Sequence, residues 1–443
     1  MYVYEKGIEI PKPSSPTPLI PYFSHHIQER LASHELPIRF VVTRTDPTTF
    51  YCELGILSHS NGNGMATFLR RPAHSIFDFR KRDFDHVNSF NAVLLVPTGI
   101  GAEIGGHAGD ATPVARLLAA ACDTLITHPN VVNASDINEM SENTLYVEGS
   151  IISRLLMGSV ALRRTRSNRV MLIVDVPPDI YFQESAINAA SAARASFGLD
   201  CPLVVKMTEK MPTQAFYAAS GRAVGKVDNF GHLCQIAEKY RDSYDAIALS
   251  TIIDMPKETS ATYWKDEQDM INPWGGIEAM LTHALSMLYD IPSAHSPMMD
   301  SEPREDYKDF GVVDPRKSAE AISNSYLHCI LKGLHRSPRI VPNAPLHSHT
   351  GLLSVADVSC LVIPDKCVGL PTLAALEQGI PVIAVRENKN KMENNLEELP
   401  FKPNNLFMVD NYLEAAGVMT ALRAGVALET TRRPLAHTTV YEA

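Results

Sequence analysis

The feature that most restricts the fold is a series of short, continuous apolar runs separated by helix-length segments. Val170-Met-Leu-Ile-Val174 is one such run and Ala92-Val-Leu-Leu-Val96 is another. A strand with one wet face alternates apolar and polar residues, whereas a strand without polar positions must be covered on both faces. Covered strands joined by helices make a parallel sheet in an α/β protein. On this reading strands fall at 92–97, 124–128, 170–176, 202–206, 245–250, 358–363, 381–385 and 406–409. Helices fall near 113–122, 150–161, 184–196, 229–240, 275–289, 316–334, 371–378 and 412–424.

A chain of 443 residues has room for two or three domains. Residues 1–90 are expected to form an N-terminal arm with strands packed on the first domain. Pro11, Pro13, Pro16, Pro18 and Pro21 argue against regular structure in the arm, apart from a short helix over Phe23–Ser33. Strands follow at Ile38–Thr43 and Tyr51–Leu57. Residues 91–253 form a first α/β domain, 254–315 an irregular insertion or lid carrying Trp264 and Trp274, and 316–443 a second α/β portion. The expected fold class is α/β with doubly wound, mostly parallel sheets in two Rossmann-like halves.

Composition narrows the partners. A net charge of -10 and a pI near 5.9 argue against nucleic acid and against an anionic membrane. The basic run Arg163-Arg164-Thr-Arg166-Ser-Asn-Arg169 reads as a solvated turn. Seven cysteines with no CxxC pair suit a reducing, cytoplasmic setting. The N-terminus lacks a secretory pattern, and no apolar run reaches the ~18 residues of a membrane span.

The segment Asn91–Cys122 carries the strongest functional signal. Its strand feeds a loop holding Gly99, Gly101, Gly105, Gly106 and Gly109, and Thr112-Pro113 opens a helix with Thr112 as the expected N-cap. Glycines let backbone approach a ligand, and free N–H groups at a helix start favour an anion. The loop lacks Gly-Lys-Ser/Thr, so it is not a P-loop, and its spacing misses GxGxxG by one residue. Thr98, Gly99, Gly101, Gly105, Gly106 and Thr112 are the expected ligand contacts here, with His107 and Asp110 as acid/base groups. Ligands of open α/β sheets sit beyond the strands' carboxyl ends. By that rule His128, Asn130, Asn133 and Asp136 after the next strand join the ligand contacts, and Glu148 joins the catalytic set. Ser135 and Asn138 make the same loop polar. No HxxxH pair occurs, and His347-Ser-His349 follows a proline-rich loop, so no metal is assigned and the cofactor stays open.

A second strand-turn-helix lies near the C-terminus. Asp365-Lys-Cys-Val-Gly-Leu-Pro371 is a turn with Gly369 and Thr372 as a further donor set. The run GLPTLAALEQGIPVIAV is similar to the nucleotide-diphosphate half of GT-B glycosyltransferases and sugar epimerases, which implies a ribose-contacting role for Glu377. Cys367-Val-Gly-Leu370 resembles the second cysteine motif of aspartate/glutamate racemases, which implies a catalytic Cys367. The expected partner cysteine is missing from a strand end, since Cys122 closes a helix. Over most of its length the chain resembles the uncharacterised family DUF3326. The residues carrying that resemblance are VPTGIGAEIGGHAGDATP (96–113), THPNVVNASDIN (127–138), YVEGSI (146–151), NPWGGIEAM (272–280) and CVGLPTLAALEQGIPVIAV (367–385). This family brings no activity with it.

The expected function is a cytoplasmic enzyme that binds a small anionic metabolite, phosphate- or carboxylate-bearing, between α/β halves. It would use general acid/base chemistry of isomerase, lyase or transferase type. One alternative is a non-catalytic metabolite-binding or regulatory protein. Another is a cysteine-dependent racemase using Cys367. A homo-oligomer is compatible with the sequence.

Overall fold

The structure is a computed structural model that describes residues 1–59, 75–134, 136–137, 139–265, 270–298, 311–323, 325–344 and 351–442. Six short strands form one parallel sheet, in the order Leu406–Val409, Val382–Val385, Val358–Pro364, Asn91–Leu94, Thr124–Thr127 and Thr144–Tyr146. Every residue of Asn91–Leu94, Thr124–Thr127 and Val382–Val385 is buried, as continuous apolar runs require. The chain enters this sheet at its centre with Asn91–Leu94 and steps outward on one side. It returns beside the same strand with Val358–Pro364 and steps outward on the other. The boundary expected at 316 therefore does not divide two sheets, because strands of 91–146 and 358–409 share one.

A second parallel sheet runs Ser293–Met298, Ala246–Ile252, Val170–Val174, Leu203–Lys206. Val170, Leu172 and Val174 enter the larger of two apolar cores, while Met171 and Ile173 enter the smaller. The strand has no polar position because both faces are covered. Met280, Leu281 and Leu285 of the helix Gly275–Tyr289 pack in the smaller core.

The N-terminal arm is corrected by the structure. Tyr2–Pro11 is a ten-residue strand, paired antiparallel with Thr49–Ser58 along its whole length. It belongs to an antiparallel sheet ordered Thr213–Tyr217, Ala223–Val227, Tyr2–Pro11, Thr49–Ser58, Glu35–Thr45, Val368–Gly369. The prolines begin only where this strand ends. Pro21 is the third residue of the helix Leu19–Gln28, a position whose N–H has no helical partner to lose. The strand Glu35–Thr45 carries bulges between Pro37 and Arg39 and between Val42 and Arg44, which accommodate Pro37 and re-aim the side chains beside it.

Three helix expectations also change. The helix expected over 150–161 ends at Leu156, because Gly158 turns the chain at φ 74 into the strand Val160–Arg163. The helix expected over 316–334 is two pieces, Ser318–Ala321 and His328–Arg336. The break holds Tyr326 in the left-handed region, and the Asp136 carboxylate accepts from Ser325 Oγ at 2.9 Å. Finally, Thr112 is the first residue of the helix Thr112–Ala120 rather than its cap; its buried hydroxyl has no hydrogen-bond partner among the described residues. The segment 254–315 holds the helices Lys257–Lys265 and Gly275–Tyr289 and the strand Ser293–Met298. Its described part is wall and core. Among the described residues no helix is long and apolar enough to cross a membrane.

Candidate functional site

Three neighbouring strands of the large sheet each deliver one polar group past their carboxyl ends. Thr98 follows Asn91–Leu94, His128 follows Thr124–Thr127, and Glu148 follows Thr144–Tyr146. All three line one cavity of about 120 Å³. The opposite wall comes from Glu278, Thr282 and His283 of the helix Gly275–Tyr289, from His295 on Ser293–Met298, and from Glu320. Glu278 and Thr282, four apart, share a helix face, and His283 follows Thr282 at its edge.

Glu148 caps its helix and faces the cavity at once. Its Oε2 accepts from the Ser150 backbone N–H at 3.0 Å and from the Ser150 hydroxyl, while Oε1 lies 2.9 Å from His283 Nε2. Burial pushes this carboxyl up, but His283 and the Ser150 donors outweigh it and hold the group below its ordinary range. His128 is driven the other way. Burial is the main cause, and His283 adds to it, so His128 titrates at about 4 and stays neutral at pH 7. Its Nε2 accepts from the Val96 N–H at 3.1 Å, which places its proton on Nδ1.

Glu320 is the counterpart of Glu148. Buried, and near Glu278, it is pushed up to about 8. Tyr263 Oη donates to its Oε2 at 3.2 Å and lies 2.9 Å from His107 Nδ1. His107, Tyr263 and Glu320 thus form one hydrogen-bonded chain, whose two ends, His107 and Glu320, line the cavity. Further round, His295 Nε2 lies 2.8 Å from Thr251 Oγ1 and its Nδ1 lies 3.4 Å from Glu278 Oε2. Among the described residues no group of three or more His, Cys, Asp or Glu is arranged to hold a metal ion. The pair His347 and His349 lies outside the described residues, as do Ser135 and Asn138.

The glycine loop works differently from the expectation. The Asp110 carboxylate accepts from the backbone N–H groups of Gly105 at 2.9 Å and His107 at 3.2 Å. Those of Glu103 and Ile104 bond to Lys389 O and Asn388 Oδ1. The loop's anion is therefore Asp110 itself, pushed up to about 6 by burial against these donors. Gly106 is required by packing: a Cβ there would lie 2.0 Å from Ala102 O. Gly99, Gly106 and His107 reach the cavity, whereas Gly101, Gly105, Asp110 and Thr112 do not line it.

Asn133 lines the cavity and accepts from Tyr146 Oη at 2.9 Å; Asn130 also lines it and ties the loop down through Gly105 O at 2.7 Å. Asp136 points away, accepting from Ser323 Oγ at 2.5 Å and Ser325 Oγ. Glu377 is also remote from both cavities, its Oε1 accepting from Leu19 N at 2.9 Å at the start of the helix Leu19–Gln28. That contact removes the ribose role implied by the glycosyltransferase likeness.

Gly369 and Thr372 line a second cavity of about 100 Å³, which shares Thr98, His128, Gly149, Ala279 and His283 with the first. Thr372 Oγ1 is spent on Cys367 O at 2.9 Å. Cys367 is buried, and burial pushes its thiol up rather than down. It offers no thiolate at neutral pH, so the cysteine-dependent reading loses its nucleophile.

Sequence reasoning missed Glu278, His283, His295 and Glu320. The first two were visible as polar residues on an apolar helix. Glu320 sits in a four-residue helix that leaves no periodic trace.

Comparison with known proteins agrees with this account as far as the family. The model of a protein of unknown function, DUF3326, matches residues 91–432. The chain belongs to this family. An uncharacterized lipoprotein of Synechococcus sp. is 30% identical over 343 residues, covering 76% of this chain and 92% of that protein. No solved structure matches. The whole lining of the first cavity falls inside the DUF3326 range, while the second cavity draws also on residues 38–41 and Ile76, which precede it.

Proposed function

We propose that this DUF3326 protein is an enzyme that moves protons on a small, polar, anionic metabolite held between Glu148 and Glu320. The observation that carries this reading is the split between two buried carboxyls on one cavity. Glu148 is held ionised beside His283, and Glu320 is held protonated at neutral pH. Two titratable groups pushed apart by their surroundings are the arrangement that general acid/base catalysis needs. Glu148 would take a proton and Glu320, backed by Tyr263 and His107, would give one. Isomerase, lyase and transferase chemistry all use that pair.

The strand order supports a doubly wound, Rossmann-like reading of the large sheet. The chain reverses direction between Asn91–Leu94 and Val358–Pro364, and the loops leaving these two strands supply Thr98 and Gly369 to the adjoining cavities. Open α/β sheets bind ligands at such a point. The seven free cysteines support a reducing compartment such as the cytoplasm.

The test is to incubate the protein with a library of small organic acids and to follow composition by mass spectrometry, beside Glu320→Gln and Glu148→Gln. The expected result is turnover of one compound class by the wild type that both variants lose. A wild type that changes nothing yet is stabilised by a library member would replace the enzyme with a metabolite-binding protein.

A further inference from the structure

The second cavity contains two arginines whose donors are not used up. Arg222 is fully buried, and its Nη1 pairs with Glu5 Oε1 at 3.0 Å and with Glu53. Its Nε and Nη2 have no hydrogen-bond partner among the described residues. Arg39 sits at the bulge of Glu35–Thr45; its Nη2 donates to Thr98 O at 2.7 Å, and its buried Nη1 has no hydrogen-bond partner among the described residues. Arg39 makes no ion pair with a carboxylate among the described residues; burial and Arg222 lower it to about 10, the charges of Glu5, Glu53 and Glu148 act against that, and it stays charged at neutral pH.

Each buried guanidinium N–H without an acceptor is costly. A fold retains such groups where something else completes them. The remaining wall tells what that is. Ile38, Phe40, Leu95, Ile363 and Leu370 line the same cavity. Apolar walls with a few convergent polar groups are the general form of a small-molecule site.

We propose that this cavity binds the carboxylate of a small organic acid, which would be the substrate class of the adjoining acid/base cavity. The carboxylate lies on the guanidinium donors of Arg39 and Arg222, and an apolar part of the molecule lies against Ile38, Phe40 and Leu370. A guanidinium fork matches the two oxygens of a carboxylate. Glu5 and Glu53 beside Arg222 favour a monoanion over a phosphate dianion. The shared wall of Thr98, His128 and His283 leaves the rest of the molecule facing Glu148 and Glu320. The inference rests on the proposed acid/base reading only for that last step. The anion site itself stands on the arginines, and it replaces the glycine loop as the place where negative charge is received.

The experiment measures calorimetric binding of three probes to the full chain: hexanoate, hexanamide and inorganic phosphate. Hexanoate is expected to bind at least about 10-fold more tightly than either of the others, the scale of a hydrogen bond to a charged group. Arg39→Met, which keeps the apolar stem, is expected to lose that preference, and Arg39→Lys to regain part of it. Equal binding of hexanamide, tighter binding of phosphate, or an unchanged preference in Arg39→Met overturns the proposal. Should Arg39→Met fail to fold, the wild-type preference among the three probes decides. Glu320→Gln separates the two readings, because it is expected to retain hexanoate binding. Loss of turnover in Glu320→Gln with no arginine-dependent binding sinks this inference alone. Arginine-dependent binding with full turnover in Glu320→Gln sinks the acid/base reading alone.

Discussion

The two cavities share a wall but are built from opposite materials. The first is lined by imidazoles and by two carboxyls, Glu148 and Glu320, pushed in opposite directions, and all of its lining lies within 91–432. The second is lined by guanidinium groups and apolar side chains, and Arg39 comes from the N-terminal antiparallel sheet. Groups that titrate near neutral pH can exchange protons; a guanidinium cannot, and serves only to hold charge. On the proposed reading the difference separates chemistry from binding: one cavity would change a ligand and the other would fix its position.

The sharpest way to break this division is to remove the proton from one side only. Glu320→Gln keeps size and hydrogen bonding but cannot ionise or donate an acidic proton. Turnover in the organic-acid assay should fall by roughly 100-fold or more, the usual worth of one general acid or base. Thermal unfolding should show a fold at least as stable as the wild type. A variant that keeps its turnover would make the first cavity a binding surface like the second.

The glycine loop offers the next largest effect, on stability rather than rate. Gly106→Ala drives a Cβ to 2.0 Å from Ala102 O, and forced backbone movement of this kind costs about 1–3 kcal/mol or more. The loss should appear in denaturant unfolding of the ligand-free protein. If Gly106→Ala were as stable as the wild type, the packing account of this loop would fail, and a role in ligand approach would regain its basis.

Much of this was readable in the sequence, and the rest was not, for definite reasons. Continuous apolar runs announced the parallel strands because both of their faces are covered. The strand Tyr2–Pro11 escaped because half-buried residues and charges alternate along it, and prolines crowd the chain just beyond. His128 was singled out because it ends a readable strand, and Glu148 because it stands just before the helix start at Gly149-Ser150. Asp110 was placed in the right loop with the wrong role, since a carboxylate among glycine N–H groups can be the loop's own anion. Arg39 was visible as a charge inside the apolar run Ile38-Arg-Phe-Val-Val42. Its partner Arg222 lies 183 residues away, and only the fold joins them.

The pH dependence of stability sharpens the comparison further. Glu320 stands at about 8 in the folded protein against an ordinary 4.5. Between these values the folded protein keeps a proton that the unfolded chain has released. Its contribution is therefore full below about 4.5 and declines as pH rises toward 8, by about 1.4 kcal/mol per pH unit. Asp110, at about 6, adds a loss of the same sign over a lower window. Glu320→Gln should flatten the wild-type decline between pH 7 and 8, where Asp110 is largely ionised. Parallel curves for the two proteins would mean that Glu320 is ionised at neutral pH, and the split between the carboxyls would vanish.

The smallest effect is expected at Cys367, and it tests the second cavity's claim to be a binding site only. The thiol lines that cavity but is buried, and its proton is held more firmly than in water. A thiolate nucleophile needs nearby positive charge and access to solvent, which lower the pKa. Cys367 is buried, and the charge that acts on it, Asp365, pushes in the wrong direction. Cys367→Ala should therefore cost about 1 kcal/mol for the small void it leaves and change turnover in the organic-acid assay by less than about 2-fold, an effect of well under 1 kcal/mol on the barrier. Alkylation of the native protein with iodoacetamide, followed by peptide mass mapping, should leave Cys367 unmodified. Rapid alkylation together with lost turnover would return a nucleophile to the second cavity and erase the division between its chemistry and that of its neighbour.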